Sequence, residues 1–191
     1  DLLVDSGTSV AHCPNVFVRR GITLENLGHY LDKGVNVGIG TDTFPHNMLD
    51  EMRWAGVLAR VAAQNVDAVK ADGVFNSATI GGAKIVGRDD IGRLAVGAKA
   101  DVVLVDTAHP AMLPGRDPLR ALIYSAQDRA VRDVYVDGCQ VVGGGKVLTM
   151  DYADAAGRLD EAQRRAELAV PGLDWGNRSI DEIVPSSLPI R

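Results

Sequence analysis

Asp42 offers the most chemistry in this sequence. It directly follows Gly38-Ile39-Gly40-Thr41, at the mouth of a short apolar run. A carboxylate there reads in one of two ways. It is a helix N-cap or turn residue, or it holds a metal ion and takes a proton from the water that the metal activates. The second role needs a carboxylate that is rigidly held and partly desolvated, and a strand end supplies both. His12 closes an earlier apolar run, Val10-Ala11, and so mirrors Asp42. His46 follows Asp42 in the same loop and is a third pocket candidate. His29 falls within a helical pattern and His109 precedes Pro110, so both are expected at the surface. Cys13 beside His12 suggests a thiol–imidazole pair, but adjacent strand residues point to opposite faces. No Cys and His spacing makes a complete zinc site.

Those residues need elements to position them. Residues 9–13 read as a buried strand stopped at Pro14. A loop is expected through Arg19-Arg20-Gly21. Thr23 is the expected N-cap of a helix on which Leu24, Leu27 and Leu31 recur. Gly34 suits its C-terminal end. Residues 35–39 read as a second buried strand. The next helix sets Met48, Met52, Ala55, Leu58 and Ala62 on one face, with Asp50 and Glu51 in its first turn, where carboxylates suit the helix dipole. Apolar strands without alternation, separated by helices, are the pattern of parallel strands covered on both faces in an α/β fold. In such folds ligands lie past the carboxyl ends of the strands, where His12 and Asp42 stand.

Residues 74–86 read as a weaker, glycine-interrupted helix. After Gly92 the character changes. Residues 102–105, 131–136 and 141–142 are short Val-rich strands, punctuated by Asp106, Asp137-Gly138 and Gly143-Gly144-Gly145. This predicts a small antiparallel unit. The triple glycine has no following helix and no Lys-Ser/Thr pair, so it reads as a hairpin turn rather than a phosphate loop. Residues 153–168 read as an amphipathic helix, and an extended tail is expected from Pro171. The expected divisions are 1–92, 93–150 and 151–191.

The composition sets outer bounds. The chain has 191 residues, 46% hydrophobic and 24% charged, which excludes disorder. A net charge of -5 without any basic block argues against nucleic acid or an acidic membrane as partner. The apolar runs fall far short of the ~20 residues of a membrane span. Two cysteines give no disulfide framework, and a cytoplasmic location is expected. The chain opens at Asp1, without Met or a signal peptide and close to a strand, and so reads as part of something longer.

Val10-Ala11-His12-Cys13-Pro14, Gly38-Ile39-Gly40-Thr41-Asp42 and Leu49-Asp50-Glu51-Met52-Arg53 resemble the last two barrel strands of the amidohydrolase superfamily. The resemblance continues through Ala78-Thr79, Gly82-Ala83 and Ile91-Gly92-Arg93-Leu94. It is most specific in Val96-Gly97-Ala98-Lys99-Ala100-Asp101, leading into Val102-Val103-Leu104-Val105-Asp106, and it ends with Val134-Tyr135-Val136-Asp137-Gly138. It covers residues 8–150 and is nearest the group with nucleobase deaminases, S-adenosylhomocysteine deaminases and s-triazine chlorohydrolases.

The resemblance implies an α/β fold: the C-terminal part of a TIM (β/α)8 barrel plus part of a small β-sandwich. It implies one divalent metal, zinc before iron, with Asp42 as the metal ligand and proton acceptor of the eighth strand. His12 and His46 become substrate-binding expectations. The family's His-x-His pair is not in this sequence, nor are its Glu and His of the fifth and sixth strands. Two strands cannot close a barrel of eight strands and ~250 residues, so the N-terminal part of the barrel is an implied partner. The implied activity is deamination of a nitrogen heterocycle such as a nucleobase, pterin or s-triazine. The alternatives are a cyclic amide hydrolase, resembling imidazolonepropionase or hydantoinase, and a non-catalytic half-barrel scaffold. Homo-oligomers are common in the superfamily. Where relatives often carry Ser-Asn after the proline, this chain has Asn15-Val16, so the resemblance does not choose a substrate.

Overall fold

A computed structural model describes residues 2–23 and 26–188. Contacts divide the chain into two units, residues 1–146 and 147–191.

The first unit begins with a short helix, α1 (Leu2–Ser6), and then strand β1 (Val10–His12). Pro14 does not simply stop the chain. It is the first residue of helix α2 (Pro14–Val18), where a loop was expected. A proline has no amide proton to lose at a helix start, and its φ is already helical. Helix α3 (Leu27–Asp32) follows, capped by Asn26, whose Oδ1 accepts the His29 N–H at 2.8 Å, rather than by Thr23. Leu24 lies outside the described residues. Gly34 has φ 78°, the left-handed conformation that ends a helix.

Strand β2 (Val37–Ile39) is buried at every position and runs parallel to β1, pairing Val10 with Val37, Ala11 with Gly38 and His12 with Ile39. Helix α4 (Met48–Ala63) starts at Asn47, whose Oδ1 accepts the Asp50 N–H at 3.1 Å. Its buried stripe is Glu51, Met52, Ala55, Gly56 and Ala59; Met48 and Ala62 are exposed. The weak helix expected at 74–86 is α5 (Ala71–Asn76), a π-helical turn at Ser77–Gly81, and α6 (Gly82–Ile85). The turn brings Gly81 against β2 so closely that a Cβ there would lie 2.1 Å from the Val37 carbonyl oxygen. The core joins Leu27, Val35, Val37, Ile39, Met52, Ala55, Val74 and Ile123.

An antiparallel sheet follows, with strand order β3 (Val102–Val105), β4 (Val131–Val136), β5 (Cys139–Gly143), β6 (Lys146–Val147). Gly144 and Gly145, both at positive φ, turn β5 into β6, as the hairpin expectation has it. Between β3 and β4, helix α7 (Pro118–Ala121) leads into a second π-helical turn, Leu122–Ala126.

In the second unit, helix α8 (Tyr152–Leu173) runs through Pro171, where an extended tail was expected. Pro171 sits in the last turn, so the one amide donor that it removes, toward the Glu167 carbonyl, falls at the very end of the helix. Asp151 caps the start, and the exposed pairs Asp154–Arg158 and Glu161–Arg165 line its surface. The expected tail holds one more short helix, α9 (Ile180–Ile183), with a Ser179–Glu182 capping box. No helix among the described residues is long and apolar enough to cross a membrane.

Candidate functional site

The parallel pairing of β1 and β2 brings the ends of the two strands side by side, and the Gly40 N–H donates to the His12 carbonyl at 3.0 Å. His12 and Asp42 therefore stand at the same end of one sheet, as the strand pattern predicts.

Their surroundings differ. His12 is 4% exposed, and its Nδ1 has no hydrogen-bond partner among the described residues. Burial lowers its pKa, so the imidazole is neutral at pH 7. Within these 191 residues Asp42 is exposed, in the loop that follows β2. It adopts φ 57°, a left-handed conformation that Asp tolerates better than most residues. It does not cap α4, since Asn47 does that. Among the described residues its carboxylate has neither a hydrogen bond nor an ion pair.

His46 is exposed and turned toward its own loop, with Nδ1 3.1 Å from the Thr41 hydroxyl. His29 is exposed on α3, as expected. His109 is half-buried instead, because its Nδ1 caps a short 3-10 turn by accepting the Ala111 N–H at 3.1 Å.

Cys13 lies beside Gly40, where a Cβ would come 3.2 Å from its sulfur. Burial raises the thiol pKa, and the Asp42 and Glu51 carboxylates raise it further, against a hydrogen bond from the Gly40 backbone. A thiol kept protonated is a poor nucleophile. This agrees with the expectation that Cys13 and His12 are not a catalytic pair.

The sequence reading gives Glu51 only a place in the first turn of α4, answering the helix dipole. Glu51 is fully buried, and its Oε2 accepts the Asn15 N–H at 3.0 Å. Its Oε1 has no partner among the described residues. Burial raises its pKa, the Asn15 hydrogen bond opposes that, and Asp50 adds to it. The signal was its place on the apolar stripe, four residues before Ala55 and eight before Ala59. Asp50, next to it, faces away and binds Arg53, Trp54 and Gln127.

Among the described residues, no group of three or more His, Cys, Asp or Glu side chains could hold a metal ion. The unpartnered Asp42 carboxylate fits one hard oxygen ligand, and the remaining ligands have no counterpart here.

The amidohydrolase family model matches residues 2–141. A 5-methylthioadenosine/S-adenosylhomocysteine deaminase of Natronomonas pharaonis is 38% identical over 170 residues, covering 87% of this chain and 38% of that protein. An adenosine deaminase structure from Xanthomonas campestris with bound zinc superimposes with a TM-score of 0.81 at 31% identity, covering 86% of this chain and 38% of that one. An Arthrobacter aurescens atrazine chlorohydrolase structure complexed with zinc gives 0.74 at 27% identity, covering 82% and 36%. This chain thus spans little more than a third of the length of these relatives. Taken with the parallel strand pair, the family match over residues 2–141 settles the lineage: the chain belongs to the amidohydrolase family.

Proposed function

We propose that this chain is the C-terminal part of a metal-dependent amidohydrolase that deaminates a nitrogen heterocycle. The observation that supports the reading is the placement of His12 at the end of β1 and Asp42 in the loop after β2, on the same side of one parallel pair, the one a buried imidazole whose Nδ1 lacks a partner and the other an unpartnered carboxylate among the described residues. The zinc in the adenosine deaminase and chlorohydrolase structures supports zinc as the metal. The other barrel strands and metal ligands come from outside these 191 residues, and the greater length of the relatives supports that.

Asp42 would be one ligand. The metal supplies Lewis acidity that makes water nucleophilic near neutral pH. Asp42 accepts the water's proton and returns it to the leaving amine. The neutral His12 imidazole offers one donor and one acceptor, suited to a ring nitrogen of the substrate or to the attacking water. His46 is the weaker contact, since Thr41 already occupies its Nδ1. Glu51 holds the Asn15 backbone, and so fixes the segment that follows His12 against α4.

Asp42→Asn in the full-length enzyme tests the reading. Turnover should fall at least ~100-fold with the melting temperature unchanged, because the amide keeps the shape but cannot take the proton. An Asn variant with near wild-type kcat would overturn the assignment.

A further inference from the structure

Side chains tie the two strand exits together as well as the sheet does. Helix α2 starts at Pro14, which has no amide proton, and its N-cap residue Cys13 makes no side-chain capping bond. The first amide of that helix, Asn15 N–H, is met instead by Glu51 Oε2 at 3.0 Å, from α4. This is a cap delivered from 36 residues away. The Glu51 N–H donates to the Asn47 carbonyl at 3.0 Å, so the fully buried Glu51 stands where the loop that begins at Asp42 enters α4. One end of the bridge is fixed to the Asp42 loop and the other to the exit of β1. Further out, the Arg19 Nη1 donates to the Phe44 carbonyl at 2.8 Å, a clasp between the end of α2 and the same loop. The link from Asn15 back to His12 is short and stiff: Cys13 and Pro14 intervene, and proline locks φ. The Asp42 and Glu51 carboxylates both act on the Cys13 thiol, which places the three groups in one neighbourhood.

We propose that Glu51 is a positioning residue of the reaction: by holding the Asn15 amide it sets the His12 imidazole against Asp42, and it acts on turnover through His12. The proposal rests on the deaminase reading of His12 and Asp42. The sheet fixes the two strands along their length, but His12 is the last residue of β1 and Asp42 lies beyond the end of β2. The Gly40 N–H holds the His12 carbonyl, whereas the buried Nδ1 of the side chain has no partner among the described residues. The direction of the imidazole is therefore set by the backbone on either side of it, the sheet before and the Glu51 bridge after. A shift of ~1 Å at a group that orients substrate or water can cost about 100-fold in rate.

Two variants of the full-length enzyme separate positioning from packing. Glu51→Met keeps the length of the side chain but offers Asn15 no oxygen, and Glu51→Gln keeps an acceptor. With ammonia release from S-adenosylhomocysteine as the assay, Glu51→Met should lose about ten-fold or more in kcat/KM at unchanged metal content. Glu51→Gln should stay within about three-fold of wild type. In a His12→Ala background Glu51→Met should cost under about two-fold more, because the residue it acts through is already gone. Losses that multiply, equal losses in the Met and Gln variants, or no loss in Met overturn the proposal. Where the Met variant does not fold, Glu51→Asp withdraws the carboxyl by one methylene and should show the same loss and the same dependence on His12. Histidine ring nitrogen shifts in the NMR spectrum of the metal-stripped, full-length protein read the bridge without turnover. The signals that vanish in His12→Ala belong to His12, and they should move in Glu51→Met and stay in place in Glu51→Gln. Signals that stay in place in both overturn the proposal. If they move as expected but the zinc-loaded enzyme releases no ammonia from S-adenosylhomocysteine, adenosine or guanine, the deaminase reading fails and the hold of Glu51 on His12 stands.

Discussion

The two sheets of the first unit are built from similar Val-rich sequence but treat polar groups in opposite ways. The β3–β6 sheet is knitted at its surface. Lys99 pairs with Asp137 at 2.6 Å, Asp101 accepts the Asp137 N–H, and Asp133 accepts the Gly144 N–H. In the β1–β2 pair, β2 and His12 are buried while Ala11 is exposed, and buried polar atoms at and beside it lack partners among the described residues: Nδ1 of His12 and Oε1 of Glu51 on α4. A buried polar atom without a partner is expensive. In the exposed sheet every one of these contacts completes the fold. Around the parallel pair, hydrogen-bonding capacity is left for groups outside the described residues.

That contrast can be broken first at His12. His12→Ala should lower kcat/KM by roughly ten- to a hundred-fold with metal content retained, the loss of one hydrogen bond to a polarised group, on the order of 1.5–3 kcal/mol. If only the melting temperature falls, His12 is a packing residue. If metal stoichiometry collapses, it is a ligand. Gly81→Ala should be next. The added methyl would meet the Val37 carbonyl, so stability should fall by about 1–3 kcal/mol in denaturant titration. A neutral result would mean that the π-helical turn relaxes easily.

Glu51→Gln sharpens the contrast through pH. Burial raises the folded-state pKa of Glu51 above its ordinary 4.5. Its favourable contribution is therefore fully present below 4.5 and is lost as pH rises through the higher folded value. The amide oxygen of Gln can still accept the Asn15 N–H, so the variant should lack that loss. Its stability relative to wild type should rise with pH above 4.5. A difference that does not vary with pH would remove the charge of Glu51 from the account. The smallest effect belongs to the exposed sheet. Lys99→Ala should leave the melting temperature almost unchanged, because exposed ion pairs are screened and weak.

The sequence made some of these features legible and hid others. β1 and β2 stood out because one short apolar run ends at Pro14 and the other lies between Gly34 and Gly40, and strand ends then pointed to His12 and Asp42. α2 was hidden because Pro14 was read as a stop, although a helix start tolerates proline equally well. The cap of α3 was misplaced because Thr23 and Asn26 are both good caps, and only the fold chooses. Glu51 was read as a carboxylate answering the helix dipole. Its real partner is the Asn15 backbone, 36 residues earlier, and no local pattern encodes that contact. The Arg19–Phe44 clasp was hidden for the same reason. Asp42 lies beyond the end of β2 with a left-handed backbone, which strand periodicity does not report.

The left-handed backbone at Asp42 governs how this position can be varied. Apart from glycine, few residues besides Asp and Asn accept that conformation cheaply. Alanine or glutamate would alter chain geometry and chemistry together, and lost activity could not be assigned to either. Asparagine holds the backbone constant while removing the titratable oxygen. At position 42 the one-atom replacement is therefore both the mildest structural change and the most severe chemical one. A lineage that abandons catalysis while keeping this loop would be expected to drift to Asn or Gly there before any other residue.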